Sequence, residues 1–216
     1  WSPAQDAVAV MVFVHGFGEH MGRYGDVFAA FSRCHCLGFD LRGHGHSGGS
    51  RGHIQRFGDY RTDLAWVLEN ARSRAPGLPV FLVGHSFGGL VATEAMLTLQ
   101  EPLAGMILSS PGFALQHVPP MWERAMAKLM THVCPGLARP ARIRVDRLSH
   151  DPQVAERVRQ DPLSLRRVSV RWYTECLAAQ RRVLAAGLGL RVPCTVKSLY
   201  EGVNNRDNLF LSCCCF

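Results

Sequence analysis

No apolar run in the 216-residue chain is long enough to cross a bilayer as a helix, which sets aside an integral helical membrane protein. The eight cysteines contain no C-x-x-C pair of metal spacing, and Cys34-His35-Cys36 is too tight for a standard zinc half-site. Free thiols in a reducing compartment are therefore expected, with no metal and no other cofactor. No signal-peptide pattern opens the chain, which starts on Trp1 rather than Met. A cytoplasmic location is expected, with peripheral attachment to membranes as its variant. No nucleic-acid module is visible either. The net charge of +7 comes from scattered arginines that become denser in the second half, and it reads as a solvated basic face with weak attraction to anionic lipid. Histidine is absent after His150.

What is present is a globular chain, 47% hydrophobic, of a length that suits one domain with a modest insertion. Its most informative stretch is Pro79 to Leu90. An apolar run ends at Gly84-His85-Ser86-Phe87-Gly88, a G-x-S-x-G pattern between a strand and a helix. That context defines a nucleophile elbow: a serine on a strained turn, held at the N-terminus of the following helix. Gly84 and Gly88 are expected where backbone approaches too closely for a side chain, and the helix N-terminus offers N–H groups to an oxyanion. Upstream, the β-branched run Val8–Val14 suits a strand buried on both faces, and it leads into His15-Gly16-Phe17-Gly18-Glu19-His20. A glycine-bracketed loop after a central strand can aim a backbone N–H at a reaction centre. Phe17 and Phe87 N–H are thus the candidate oxyanion donors, with His15, Gly16 and His85 as loop and elbow support.

The remaining pattern alternates. Arg23–Ser32 reads as a helix with a stripe of Tyr24, Val27, Phe28 and Phe31. A short strand, Leu37–Asp40, precedes a glycine-rich loop in which His44 reads as a brace. Helices over Tyr60–Ala75 and Gly89–Leu99 flank the elbow strand, and Ala104–Ser109 is a further strand. Strand and helix in alternation predict an α/β fold with a mostly parallel sheet. From Pro111 the pattern turns helical, over Met121–Val133, Val154–Arg159 and Ser169–Ala186, with no strand expected before the end of the last of these. Residues 113–167 are expected to form a helical lid, whose Met121, Trp122, Met126 and Met130 read first as packing core and second as an acyl groove.

Together His15-Gly-x-Gly-Glu-His20, Gly38-Phe-Asp-x-Arg-Gly-His-Gly-x-Ser47, Pro76–Gly89 and Leu148-Ser-x-Asp-Pro152 resemble the monoacylglycerol lipase group of α/β-hydrolases, which overlaps the serine aminopeptidase-like (S33 type) hydrolases. The likeness runs from Trp1 to about Ala186. It implies an α/β-hydrolase fold, Ser86 as nucleophile, Phe17 and Phe87 as the oxyanion hole, and a lid admitting one acyl chain of a monoacylglycerol or lysophospholipid-like ester.

The order of such triads is Ser, then Asp or Glu, then His. In the family the acid follows a strand opened by a Val-Pro step, and the histidine follows the next strand. Arg191-Val192-Pro193-Cys194 supplies that step. In one alignment Thr195–Gly202 is the family's last strand and its histidine falls near Asn205. In the other, Val192–Tyr200 is the earlier strand and Asp207 is a displaced triad acid. Neither supplies a triad histidine, so the expectation is a C-terminally incomplete hydrolase domain. Two functions stay open: a serine ester hydrolase, and a non-catalytic homologue that binds an acyl ligand or acts as an interaction protein. Loss of the last strands is expected to expose a sheet edge and favour self-association. Cys213, Cys214 and Cys215 could be read as lipidation sites, with a splice or frame-shifted tail as the preferred reading.

Overall fold

The computed structural model describes residues 1–99, 102–113, 120–141, 152–187, 190 and 192–197. In chain order the elements are β1 (Ala9–Val14), α1 (Gly25–Ala30), β2 (Cys34–Phe39), α2 (Gly58–Arg74), β3 (Val80–His85), α3 (Phe87–Thr98), β4 (Gly105–Ser109), α4 (Met121–Val133), β5 (Ala138–Pro140), α5 (Pro152–Gln160), β6 (Arg167–Ser169), α6 (Val170–Ala185) and β7 (Cys194–Lys197). Five strands form one parallel sheet in the order β2-β1-β3-β4-β7. Every residue of β1 is buried, as its unbroken apolar run requires of a strand covered on both faces.

Strand alternation divides that core. Val10, Val12, Val14, Leu82 and Leu108 point towards α2, α3 and α6, where each fully buried side chain contributes roughly 1.5–3 kcal/mol. Met11, Phe13 and Cys36 point the other way, under Tyr24, Phe28 and Phe31, with Phe13 4.9 Å from the Phe28 ring. Val27 departs from the expected stripe and is 40% exposed.

After β4 the chain departs further from expectation. Residues 138–140 and 167–169 pair as a two-stranded antiparallel ribbon, although no strand was expected there. Nor is the Met and Trp side of α4 packing core. Met121, Trp122 and Met126 are exposed and Met130 is half-buried, while Ala127 and Thr131 make the buried contact. Thr131 Oγ1 meets Thr174 Oγ1 of α6 at 2.8 Å. Small residues thus let the two helices approach, and the large ones face outwards.

β7 occupies the position beside β4, with Met106 opposite Cys194 and Ser109 opposite Lys197, and all four of its residues are exposed. A strand here is common to both alignments, Thr195–Gly202 and Val192–Tyr200. Asp207, Asn205 and Cys213–Cys215 lie outside the described residues. Cys34, Cys36, Cys134, Cys176 and Cys194 are free thiols.

Candidate active site

Ser86 joins β3 to α3 with φ 52° and ψ −117°, a backbone conformation that costs a side-chain-bearing residue about 1–3 kcal/mol. The surroundings hold it there. Ser86 N–H donates to Ser109 O at 2.9 Å, while Ser86 O accepts from Gly89 N–H at 2.9 Å and Gly112 N–H at 2.8 Å. Three glycines make the turn sterically feasible. A Cβ on Gly84 would lie 2.8 Å from Gly88 O, one on Gly88 would strike Val14 O and His15 O, and one on Gly89 would lie 2.8 Å from Pro111 Cβ. The elbow is thereby wedged against the end of β1, with Ser86 at the N-terminus of α3.

The loop after β1 comes to the same place. A Cβ on Gly16 would stand 3.2 Å from Ser86 Cβ, so the loop backbone passes directly beside the serine. Glu19 closes the loop by accepting from Gly16 N–H at 2.5 Å and from Tyr24 OH at 2.8 Å. The side chains of Phe17 and Phe87 are both buried in one aromatic cluster. Trp172 of α6 lies 4.7 Å from the Phe17 ring and 5.1 Å from the Phe87 ring, and it donates from Nε1 to Tyr60 OH at 2.9 Å. Packing of the two rings fixes the backbone on which the two N–H groups sit. Trp172 was missed in the sequence, where a lone tryptophan in an amphipathic helix carries no sign of its partner.

The histidines near the serine have other bonds. His15 is fully buried; its Nδ1–H donates to Gly16 O at 2.7 Å and its Nε2 accepts from Leu41 N–H at 2.9 Å, so both ring nitrogens are engaged. Burial lowers its pKa. His85 Nδ1 meets Ser109 Oγ at 3.2 Å, across to β4. His44, fully buried between Phe17, Phe87 and His15, donates from Nδ1 to Arg42 O at 3.2 Å. Desolvation, and then the neighbouring His15, depress its pKa to about 3. Burial thus favours the neutral forms of His15 and His44, which brace the site.

The segment between β4 and α6 is tied to the same loop. Leu165 N–H donates to Gly18 O at 3.0 Å, next to Phe17. Asp161 accepts from Arg23 Nη2 at 2.5 Å and from His20 Nε2 at 2.8 Å. Desolvation alone would raise the Asp161 pKa, but these bonds and the Leu163 N–H outweigh it and hold the carboxyl well below the usual range. A cleft of about 550 Å³ lined by Gly77, Leu78, Pro102 and Leu103 lies at the start of β3, about 20 Å along that strand from Ser86, and takes no part in this site. No metal-binding group of His, Cys, Asp or Glu occurs among the described residues.

Known proteins resemble this chain in sequence and fold. The profile of the family described as "Serine aminopeptidase, S33" matches residues 5–198. Phospholipase YtpA of Bacillus subtilis is 37% identical over 178 residues, covering 81% of this chain and 68% of the relative. The monoacylglycerol lipase of Mycolicibacterium smegmatis is 32% identical over 166 residues, covering 76% of this chain and 59% of its own length. The crystal structure of a monoacylglycerol lipase from Paleococcus ferrophilus superposes with a TM-score of 0.80 at 28% identity, covering 90% of this chain and 74% of that one.

Proposed function

We propose a serine ester hydrolase of the lipase and esterase type, from the premise that the chain belongs to the serine aminopeptidase, S33 family of α/β-hydrolases. The observation that carries this reading is the strained Ser86 turn, with the Phe17 loop beside it and Phe87 next to it on the elbow. In the proposed reaction Ser86 Oγ attacks an ester carbonyl, and the Phe17 and Phe87 N–H groups hold the oxyanion. The alcohol leaves with a proton, and water releases the acyl group from Ser86.

Monoacylglycerols and lysophospholipid-like esters are the substrates we favour, because the relatives bear lipase and phospholipase names. Residues 113–167 then form the lid. The exposed Met121, Trp122 and Met126 of α4 suit contact with lipid, so the protein works at a membrane surface without crossing it. No helix among the described residues is long and apolar enough to span one.

A second reading, a non-catalytic homologue that binds an acyl ligand, draws support from His15 and His85. Both are engaged elsewhere and neither is assigned as the base. Asp207 remains our proposed acid. A fluorophosphonate probe separates the two readings. The expected result is stoichiometric labelling of the chain, mapped to Ser86 by mass and abolished in Ser86→Ala. A folded protein that takes no label would remove the hydrolase reading and leave acyl binding.

A further inference from the structure

Three segments distant in sequence meet beside the Asp161 joint: the loop after β2, β5, and the turn at 161–165 that runs on into β6, and they line a cleft of about 420 Å³. Close backbone packing brings them together. Gly52 lies against Arg167 O so tightly that a Cβ would clash, and Ser169 N–H donates to Gly52 O at 2.9 Å. This contact sets Arg51 beside Arg167, with Arg166 next in the chain. All three line the cleft.

Their guanidinium groups are positioned by backbone carbonyls. Arg51 donates to Gly45 O at 2.8 Å and to Leu163 O at 3.1 Å, Arg167 donates to Ala138 O at 2.8 Å, and Arg166 donates to Arg159 O. Every acceptor is a backbone carbonyl. Among the described residues no carboxylate forms an ion pair with any of the three. Asp161, the acidic residue of the lining, is already matched by Arg23 and His20. A carbonyl fixes a guanidinium's direction without reducing its charge, and among the described residues each of these arginines keeps N–H donors unused. Three like charges held in one concave site repel one another, and a bound anion would relieve that repulsion.

We propose that this cleft is a binding site for a phosphate group, taken in by the forked donors of Arg51, Arg166 and Arg167. The site is separate from the acyl chemistry of Ser86, and its occupancy does not require a working nucleophile. A phosphate-bearing lipid head group and free phosphate share the recognising chemistry.

Calorimetric titration of the full chain with inorganic phosphate, with a short-chain lysophosphatidic acid below its micellar concentration, and with the monoacylglycerol of the same chain length tests the proposal. Phosphate-bearing ligands are expected to bind, more weakly as salt rises. Each Arg166→Gln or Arg167→Gln exchange should weaken them about tenfold, which corresponds to about 1.4 kcal/mol for the lost charged hydrogen bond. Arg167→Lys, which keeps the charge and loses the fork, should fall between. Binding of the lipid without the free ion would identify a head-group site, and equal binding of both an inorganic anion site. Absence of binding by either, or affinities that the glutamine variants leave unchanged while their unfolding midpoints match the parent, would overturn the proposal.

Discussion

Helices α3 and α4 are both rich in apolar residues, yet they meet opposite environments. In α3 every residue from Phe87 to Met96 is buried, because the helix lies between the sheet and its neighbours α2 and α6. In α4 only Ala127 and Thr131 are buried, and Met121, Trp122, Leu129 and Val133 are at least half exposed. Burial is decided by what stands opposite a helix, and composition does not report that. The elbow half of the molecule is consequently expected to be intolerant of change, whereas the outer face of α4 is expected to tolerate it. Four perturbations should separate these behaviours.

The largest effect belongs to the elbow. Gly88→Ala places a methyl group against Val14 O and His15 O, backbone atoms of a fully buried strand end that have nowhere to move. A loss of about 3 kcal/mol in urea unfolding is expected, together with loss of fluorophosphonate labelling. A near-parental midpoint would mean that the elbow yields more than the packing around it allows.

Acid is the second perturbation. His44 titrates near 6.5 when unfolded and near 3 when folded, so between those values the unfolded chain binds the extra proton. Its contribution is complete above pH 6.5 and declines as pH falls towards 3, by at most about 1.4 kcal/mol per unit. His15 acts in the same direction. Urea midpoints measured from pH 7 to pH 4 should fall steadily, and a His44→Phe variant should show a shallower slope. An unchanged slope would move the acid sensitivity elsewhere.

Third comes the joint between the two regions. Asp161→Asn leaves Arg23 and His20 without their carboxylate, at a predicted cost of about 1–3 kcal/mol. Since the folded Asp161 pKa is depressed, its contribution is present above the unfolded value near 4 and lost as pH falls below it. Hydrogen exchange should therefore rise in residues 152–165 of the variant before it rises in α3. Uniform exchange across both would argue that the segment and the core open as one unit.

Much of the elbow half was legible in the sequence. The signals are local there: a β-branched run for β1, glycines spaced around Ser86, and the Gly16 and Gly18 loop. What escaped depends on distant partners. Ala138-Arg139-Pro140 is too short to alternate and contains a proline, so only its pairing with Arg167–Ser169 makes it a strand. Trp172 gains its meaning from Phe17 and Phe87, and Arg51 from the contact of Gly52 with Arg167. The outward stripe of α4 could not be told from an inward one, because periodicity gives a helix a face without giving that face a direction.

The smallest effect on folding, and the one that most sharpens the contrast, is expected at that stripe. Trp122 is 66% exposed, so Trp122→Ser removes little buried surface and should shift stability by no more than about 0.5 kcal/mol. Burying an aromatic side chain in lipid is a different matter, since transfer gains scale with the apolar area that leaves water. If α4 is the lipid-facing element, the variant should co-sediment less with neutral phosphatidylcholine vesicles while its unfolding midpoint stays unchanged. A variant that unfolds early and still binds vesicles normally would reverse the assignment, making α4 a packed helix and placing the lipid contact elsewhere on the chain.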